Sequence, residues 1–310
     1  MSARKNIAFF CAAGLIALSA ALFAKPVAAS EEDGRVKVVA ACFPEYDWAK
    51  RIIGNAQNVE LTLLLDNGVD LHSFQPSVRD IARISGADIF IFAGGESCGW
   101  AEDVLKSAGN RNLAAISLLD ALGARAIKED DSDEFDEHVW LSLRNARLLC
   151  AVIADALCQK DAQNAAAYRA NLAAYCGQLD ALDAEYAAAV QSAGKRALLF
   201  ADRFPFRYLA DDYGLSCYAA FAGCSAETEA SFRTIAFLAG KMNELDLHSV
   251  CKIEGGDERL ARTVIGSSRN KNAEIITFDS MQSVSGDMRN SESYLGLMRK
   301  NLAALRRALE

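Results

Sequence analysis

Residues 168–190, YRANLAAYCGQLDALDAEYAAAV, decide how this 310-residue chain is organised. Tyr168, Leu172, Tyr175, Leu179, Leu182 and Tyr186 recur at steps of three and four, which draws one apolar stripe along a helix. The wider stretch 141–190 has no proline and no strand signal, and it is rich in Ala, Leu, Gln and Arg, all strong helix formers. Only Asp161-Ala162-Gln163-Asn164 interrupts it. The spacing predicts a helix of roughly 30 residues, about 45 Å long at 1.5 Å per residue. A coiled coil would carry the same stripe. Strand-like runs lie on both sides, however, so the helix reads as a rigid connector between two halves.

Upstream, residues 36–41 (VKVVAA), 59–65 (VELTLLL) and 87–93 (ADIFIFA) have the short aliphatic or β-branched pattern of buried strands. Helices are predicted between and after them over 47–53, from Ser77 to about Ser85, and over 100–108. Ser77 and Asp80 have capping-box spacing, and Gly86 stops that helix. Downstream, strands are predicted over 197–201, 250–253 and 273–278, with helices over 205–212, 227–245, 258–267 and 291–309. Such alternation argues an α/β fold of two lobes with mainly parallel sheets, joined by one long connector helix. The division is residues 1–29 as an export signal, 30–160 as the N-terminal lobe, 161–194 as the connector, and 195–310 as the C-terminal lobe.

The first 29 residues carry Arg4 and Lys5, an apolar run over 7–24, and small residues at Val27-Ala28-Ala29, the pattern of a secretory signal. An uncleaved anchor is the alternative, because the run is almost long enough to span a bilayer. The formal charge is −8, and loss of the signal removes Arg4, Lys5 and Lys25 but no acid. An acidic chain with no basic tract lacks the electrostatic footprint of a nucleic-acid binder. Eight of the nine cysteines follow Ala29, an even number that permits disulfides in an exported protein, but none has C-x-x-C spacing. Residues 128–137 (KEDDSDEFDE) contain seven acids in ten positions and read as a solvated loop.

Chemistry-bearing residues are few. The three histidines are His72, in Asp70-Leu-His-Ser-Phe-Gln-Pro76, His138, in Asp136-Glu-His-Val-Trp140, and His248. His72 and His138 follow connections of the kind that line ligand crevices at the carboxyl ends of strands. Residue by residue, either is as readily an incidental loop histidine. His248 reads as a helix-end surface residue. Gly94-Gly95-Glu-Ser-Cys-Gly99 lacks the order of a dinucleotide fingerprint and reads as a tight turn. H-E-x-x-H, G-x-S-x-G and Walker motifs are missing.

Five blocks, taken in order, carry a resemblance over nearly the whole exported chain. They are FPEYDWAKRIIGN (43–55), DNGVDLHSFQPSVRDI (66–81), ADIFIFAGGES (87–97), DEHVWLSLRNA (136–146) and YLGLMRKNLAAL (294–305). Together they resemble the zinc/manganese solute-binding proteins of bacterial ABC importers, cluster A-I. The block ADRFPFRYLADDYGL (201–215) with AAFAGCSAETEAS (219–231) resembles one sub-branch of that family. The resemblance implies a metal held between the lobes by two ligands from each. It assigns His72 and His138 as the first-lobe nitrogen ligands and Asp279, just past the last strand, as an oxygen ligand. The family commonly places His or Glu five residues before the tyrosine matching Tyr208, where this chain has Arg203, which cannot bind a cation. Asp202 is the substitute assigned here, with Cys224, Glu227 and Glu229 as other candidates. Arg203 is expected to pair with Asp202 or Glu227. A Cys/His-containing stretch of the sub-branch is replaced by Asp279-Ser-Met-Gln282.

The resemblance thus implies an exported, periplasmic or extracellular monomer that captures a divalent transition metal, zinc first and Mn²⁺ or Fe²⁺ otherwise, and delivers it to a membrane ABC permease. Neutral imidazoles with carboxylates suit zinc at ligand distances of about 2.0–2.2 Å. Affinity is expected to fall as pH drops through about 6.5, where histidine protonates. The rigid connector favours small lobe shifts over wide hinge closure. Catalysis by bound zinc would need a base, and Glu137 is the one obvious neighbour, so no enzymatic role is assigned. A surface adhesin that no longer binds metal is the remaining alternative.

Overall fold

The computed structural model describes residues 34–66, 68–129, 133–223 and 229–310. The export signal predicted for residues 1–29 lies outside them. In the first half, β1 (Val36–Ala40) leads through α1 (Phe43–Ile53) to β2 (Val59–Leu63). Then α2 (Val78–Ser85), β3 (Ile89–Phe92), α3 (Gly99–Ser107), β4 (Ala114–Ser117) and α4 (Leu118–Leu122) follow. The four strands form a parallel sheet in the order β2-β1-β3-β4. Two helices come next, α5 (Leu143–Lys160) and α6 (Ala165–Ser192). The second half repeats the plan with β5 (Ala197–Phe204), α7 (Arg207–Tyr213), β6 (Ser216–Ala222), α8 (Phe232–Glu244), β7 (Ser249–Ile253), α9 (Arg259–Ser267) and β8 (Glu274–Phe278). Its parallel sheet has the order β6-β5-β7-β8. The short α10 (Gly286–Ser291) and α11 (Tyr294–Ala308) close the chain.

Burial explains why these runs become central strands. Every residue of β3 and β7 is buried, as expected where helices cover both faces of a parallel sheet. Buried Lys252 in β7 is accommodated because its Nζ donates to the carbonyls of Ile253 (3.2 Å) and Gly256 (2.6 Å). Helix α2 has the expected capping box: Asp80 N donates to Ser77 Oγ (3.3 Å), and Ser77 N donates to Asp80 Oδ2 (3.0 Å). Such a cap is worth about 1 kcal/mol.

Helix α6 is the long connector, 28 residues or about 42 Å. Its stripe Tyr168, Tyr175, Leu179, Leu182, Tyr186 and Val190 is buried against neighbouring elements. Asn171 Nδ2 donates to the carbonyl of Ile52 (2.9 Å) in α1. Tyr186 OH donates to the carbonyl of Met298 (2.6 Å) in α11, and its ring stacks on Tyr213 of α7 at 5.2 Å. One face of one helix therefore touches elements from both halves.

Several details differ from the sequence reading. Strands β4 (AAIS) and β6 (SCYAAFA) were not anticipated, because alanine-rich runs have low β-propensity and gain their place from parallel pairing with β3 and β5. Helix α1 starts at Phe43 rather than at 47, since Pro44 fits its first turn and Glu45 folds back onto the amide of Cys42 (2.9 Å). Helix α8 starts at Phe232 behind the cap Ser231, not at 227. Helix α11 starts at Tyr294 behind the cap Ser293. The acidic segment is not wholly solvated: Lys128 pairs antiparallel with Phe135, and Asp136 and Glu137 are each 1% exposed. Residues 130–132 lie outside the described residues. The seven described cysteines after Ala29 are free thiols, and Cys224 is outside the description.

If the buried stripe of α6 joins the halves, Leu182→Ala should destabilise the protein by about 2–5 kcal/mol through the cavity it leaves. Asp180→Ala on the open face should cost less than about 0.5 kcal/mol. Urea unfolding of the two variants checks the contrast, and equal effects would refute the assignment.

Candidate metal centre

His72 sits in a short 3-10 turn, Leu71–Ser73, in the connection after β2. Asp70 caps that turn, its Oδ1 accepting from His72 N at 3.0 Å. His138 enters another 3-10 turn, Val139–Leu141, directly after the acidic segment, and is fully buried. The two imidazole rings come to 5.3 Å between centroids, with Nε2 to Nε2 at 3.2 Å. Two nitrogens sharing a tetrahedral zinc at about 2.0–2.1 Å would stand about 3.3 Å apart. The pair is therefore already at the spacing of one edge of a zinc tetrahedron.

The far side of each ring is fixed. His138 Nδ1 lies 2.8 Å from Asp136 Oδ1, and that oxygen also accepts from His138 N (2.8 Å). A carboxylate accepts only, so His138 Nδ1 carries the proton and Nε2 carries the lone pair. His72 Nδ1 lies 2.6 Å from Ser97 Oγ. The amide of Ser97 in turn donates to Glu137 Oε1 at 2.7 Å. Gly95 makes that approach feasible: its φ is +78°, and a Cβ there would lie 2.6 Å from Glu137 Oε1. The Gly94-Gly95 turn thus makes room for the buried carboxyl of Glu137. Burial raises the pKa of that carboxyl.

The second lobe reaches this pair through contacts that the sequence reading missed. The side-chain amide nitrogen of Gln282 lies 2.9 Å from His72 Nε2 and in direct contact with His138 Nε2. An amide nitrogen only donates, so both imidazoles present lone pairs to it. This agrees with the tautomer that Asp136 imposes. Glu227 lies outside the described residues, and among these Arg203 makes no side-chain ion pair with Asp202. Its guanidinium donates to Asp70 Oδ2 at 2.9 Å, across to the His72 turn. Tyr208 OH donates to the carbonyl of Asp136 (2.9 Å), and Arg207 Nε lies 3.6 Å from Asp136 Oδ2.

Asp202 and Asp279 are occupied elsewhere. Asp202 Oδ1 accepts from Arg203 N (2.9 Å) and its Oδ2 from Ile253 N (3.2 Å), which pins it to the end of the sheet. Asp279 follows β8 and closes a turn, its Oδ1 accepting from Met281 N at 2.9 Å. Asn301 clamps the Asp279 backbone from both sides at 2.8 Å. Among the described residues no group of three or more His, Cys, Asp or Glu side chains is arranged to hold a metal ion. Of the expected set His72, His138, Asp202 and Asp279, the structure brings together the two histidines only. Glu229 lines the outer cleft, whereas Cys224 and Glu227 lie outside the described residues. His248 is a surface residue, its side chain 58% exposed.

His72 lines a cleft of about 1350 Å³ whose walls include Asp70, Ser97, Asp202, Arg203 and Glu254, whereas His138 is fully buried behind it. Burial pushes the pKa of Glu254 up to about 7, with Asp279 nearby adding to the shift, and the carboxyl accepts from Ser280 N at 2.7 Å. Burial, and then the neighbouring His138, push the pKa of His72 down to about 4. Its imidazole is therefore held neutral below the 6.5 of free histidine.

A family model described as zinc-uptake complex component A, periplasmic, matches residues 38–308. The zinc-binding protein AdcA of Streptococcus pyogenes serotype M6 is 29% identical over 294 residues, covering 88% of this chain and 56% of that protein. The chain thus spans about half the length of the first curated relatives it matches. The high-affinity zinc uptake system protein ZnuA of Bacillus subtilis is 25% identical over 292 residues, covering 91% of this chain and 90% of that one. The Zn(II)-bound ZnuA-like domain of Streptococcus pneumoniae AdcA superposes with a TM-score of 0.74 at 26% identity, over 89% of this chain and 99% of that one.

A histidine held neutral by the fold binds its proton more readily in the unfolded chain. Stability should therefore be full above about pH 6.5 and decline as pH falls toward about 4. His72→Gln should flatten that part of the profile. Thermal melts of the chelator-stripped protein between pH 7 and 4 test this, and parallel profiles for both proteins would refute it.

Proposed function

Because the chain belongs to the family of periplasmic zinc-uptake complex component A proteins, we propose that it captures Zn²⁺ between its lobes and hands it to a membrane ABC permease. One observation supports this above the rest: two neutral imidazoles whose Nε2 atoms face each other at 3.2 Å. Buried, oriented lone pairs at that spacing suit a borderline cation that prefers nitrogen. Mn²⁺ and Fe²⁺ are the alternatives within the same reading. Asp202 and Asp279 are the oxygen donors we assign from the second lobe. Each carboxylate has lone pairs beyond those its backbone N–H bonds use, so both can take up a metal while keeping those bonds.

The work asked of the protein is capture and release. We assign the pair no catalytic step. A place outside the cytoplasm follows from the same family reading. No helix among the described residues is long and apolar enough to cross a membrane. The permease is thus the element that carries the ion across.

Native mass spectrometry of the chelator-stripped protein, offered equal Zn²⁺, Mn²⁺ and Fe²⁺ under reducing anaerobic conditions, should show one retained zinc. His72→Ala and His138→Ala should each abolish retention. Retained manganese or iron would change the cargo and keep the class. No retained metal would sink the reading and leave the adhesin alternative.

Asp136→Ala removes the acceptor that fixes the His138 tautomer. It should weaken zinc by about 10–100-fold, as loss of such an orienting carboxylate does. Chelator-competition titration measures this, and an unchanged affinity would show that Asp136 has no part in orienting the ligand.

A further inference from the structure

Gln282 stands where a cation would have to stand. Its amide nitrogen has two N–H bonds, and it faces two acceptors, the Nε2 atoms of His72 and His138. Donors and lone pairs match one to one. A cation cannot use a lone pair that is already accepting a hydrogen bond, so this arrangement and metal ligation by the pair exclude each other.

The orientation of the amide follows from the imidazoles, because Asp136 holds the His138 proton on Nδ1 and leaves a lone pair on Nε2. Gln282 Oε1 lies 3.2 Å from Ser280 Oγ, which lies 2.5 Å from Glu254 Oε1. Turned over, the amide would aim its oxygen at two nitrogen lone pairs. The surrounding turn is zipped to the His72 loop as well. Leu71 N donates to the carbonyl of Gln282 (3.2 Å), Gly68 N to that of Val284 (3.1 Å), and Ser283 Oγ to that of Gly68 (2.7 Å). Arg203 and Asp70 add an ion pair across the same seam. Met281, next to Gln282, is held at a φ of 60°, a conformation that costs a non-glycine residue free energy. The zipped turn therefore carries strain that its opening releases.

We propose that the Gln282 side chain is an internal competitor for the metal: it latches the lobes over His72 and His138 by hydrogen bonds alone, and a cation enters by displacing it. This rests on the metal-capture reading above. The latch lowers apparent affinity by the fraction of molecules in which it is closed. It also gives the protein a closed form that needs no ion.

The test uses the full chain after chelator stripping. In stopped-flow competition with a chromophoric chelator, Gln282→Ala should bind zinc at least tenfold faster and correspondingly tighter than wild type. Gln282→Met keeps the volume and removes both donors, and serves if alanine loosens the turn. Unchanged or weaker binding by both variants would overturn the proposal, since Gln282 would then be neutral or itself a ligand. Amide hydrogen exchange at Gly68 and Leu71 reads the latch without metal. Protection in the stripped wild type that falls at least tenfold in the variants supports it, and unprotected wild-type amides overturn it. Should no form bind zinc, the capture reading fails while exchange still decides whether the latch exists.

Discussion

The buried carboxylate of Asp136 is the contact on which the site depends. One of its oxygens takes both the amide and the Nδ1 proton of His138, the other faces Arg207, and its backbone carbonyl accepts from Tyr208. A carboxylate only 1% exposed would be costly if left unpaired. Here the partners that stabilise it also do structural work. His138 comes from the first half of the chain, Arg207 and Tyr208 from the second. The same group that decides which nitrogen of the imidazole is free therefore ties the two sheets together. Tyr208 extends the tie by accepting from Ile127 N at 3.1 Å, which anchors the backbone leading into the acidic segment.

The two sheets share one strand order, and this places the chemistry. In each, the chain leaves the first strand to one side and returns to the other, so a crevice opens at the carboxyl ends near the reversal. The His72 turn follows β2, Ser97 follows β3, Glu254 follows β7 and Asp279 follows β8. Facing crevices meet at one seam. Trp140 lies across it, donating Nε1–H to the carbonyl of Ser280 (2.9 Å) while its own carbonyl accepts from Tyr294 OH (2.7 Å). Helix α6 fixes the distance between the sheets by packing one face against elements of both, which leaves the loops at the seam as the parts that move.

How much of this the sequence made legible follows from the range of each interaction. The long helix was readable because a 3.6-residue stripe is a local signal repeated over many turns. Strands β4 and β6 were not, because their alanines have no local preference for extension and the decision is made by strands far away in sequence. His72 and His138 were ambiguous one at a time and became a pair only through the resemblance of the blocks around them. Arg203 was expected to find an acid nearby in sequence, and found Asp70, 133 residues away. Gln282 gave no signal of its own, since a neutral amide in a turn carries no charge pattern. The one pointer to it was that the segment 279–282 departs from the sub-branch. Asp279 was assigned from the resemblance and Asp202 as the substitute beside Arg203, and both are engaged with backbone N–H groups that no motif announces.

The acids around the cleft constrain what can displace this arrangement. Asp70 is held by Arg203 and by the amide of His72, Asp202 by two backbone amides, Asp279 by the amide of Met281, and Glu254 by Ser280. Each hydrogen bond to a charged group is worth about 1.5–3 kcal/mol, and the Gln282 contacts come on top. An entering ion must offset the hydrogen bonds that the Gln282 amide makes to the histidines. Zinc at structural sites of nitrogen and sulfur ligands binds with about 10–16 kcal/mol, enough to cover that cost. A hard cation such as Mg²⁺ or Ca²⁺ prefers oxygen and gains little from neutral imidazole, so it has nothing with which to open the seam. On the proposed reading the Gln282 amide thus acts as the threshold, because it occupies the single lone pair that each imidazole offers.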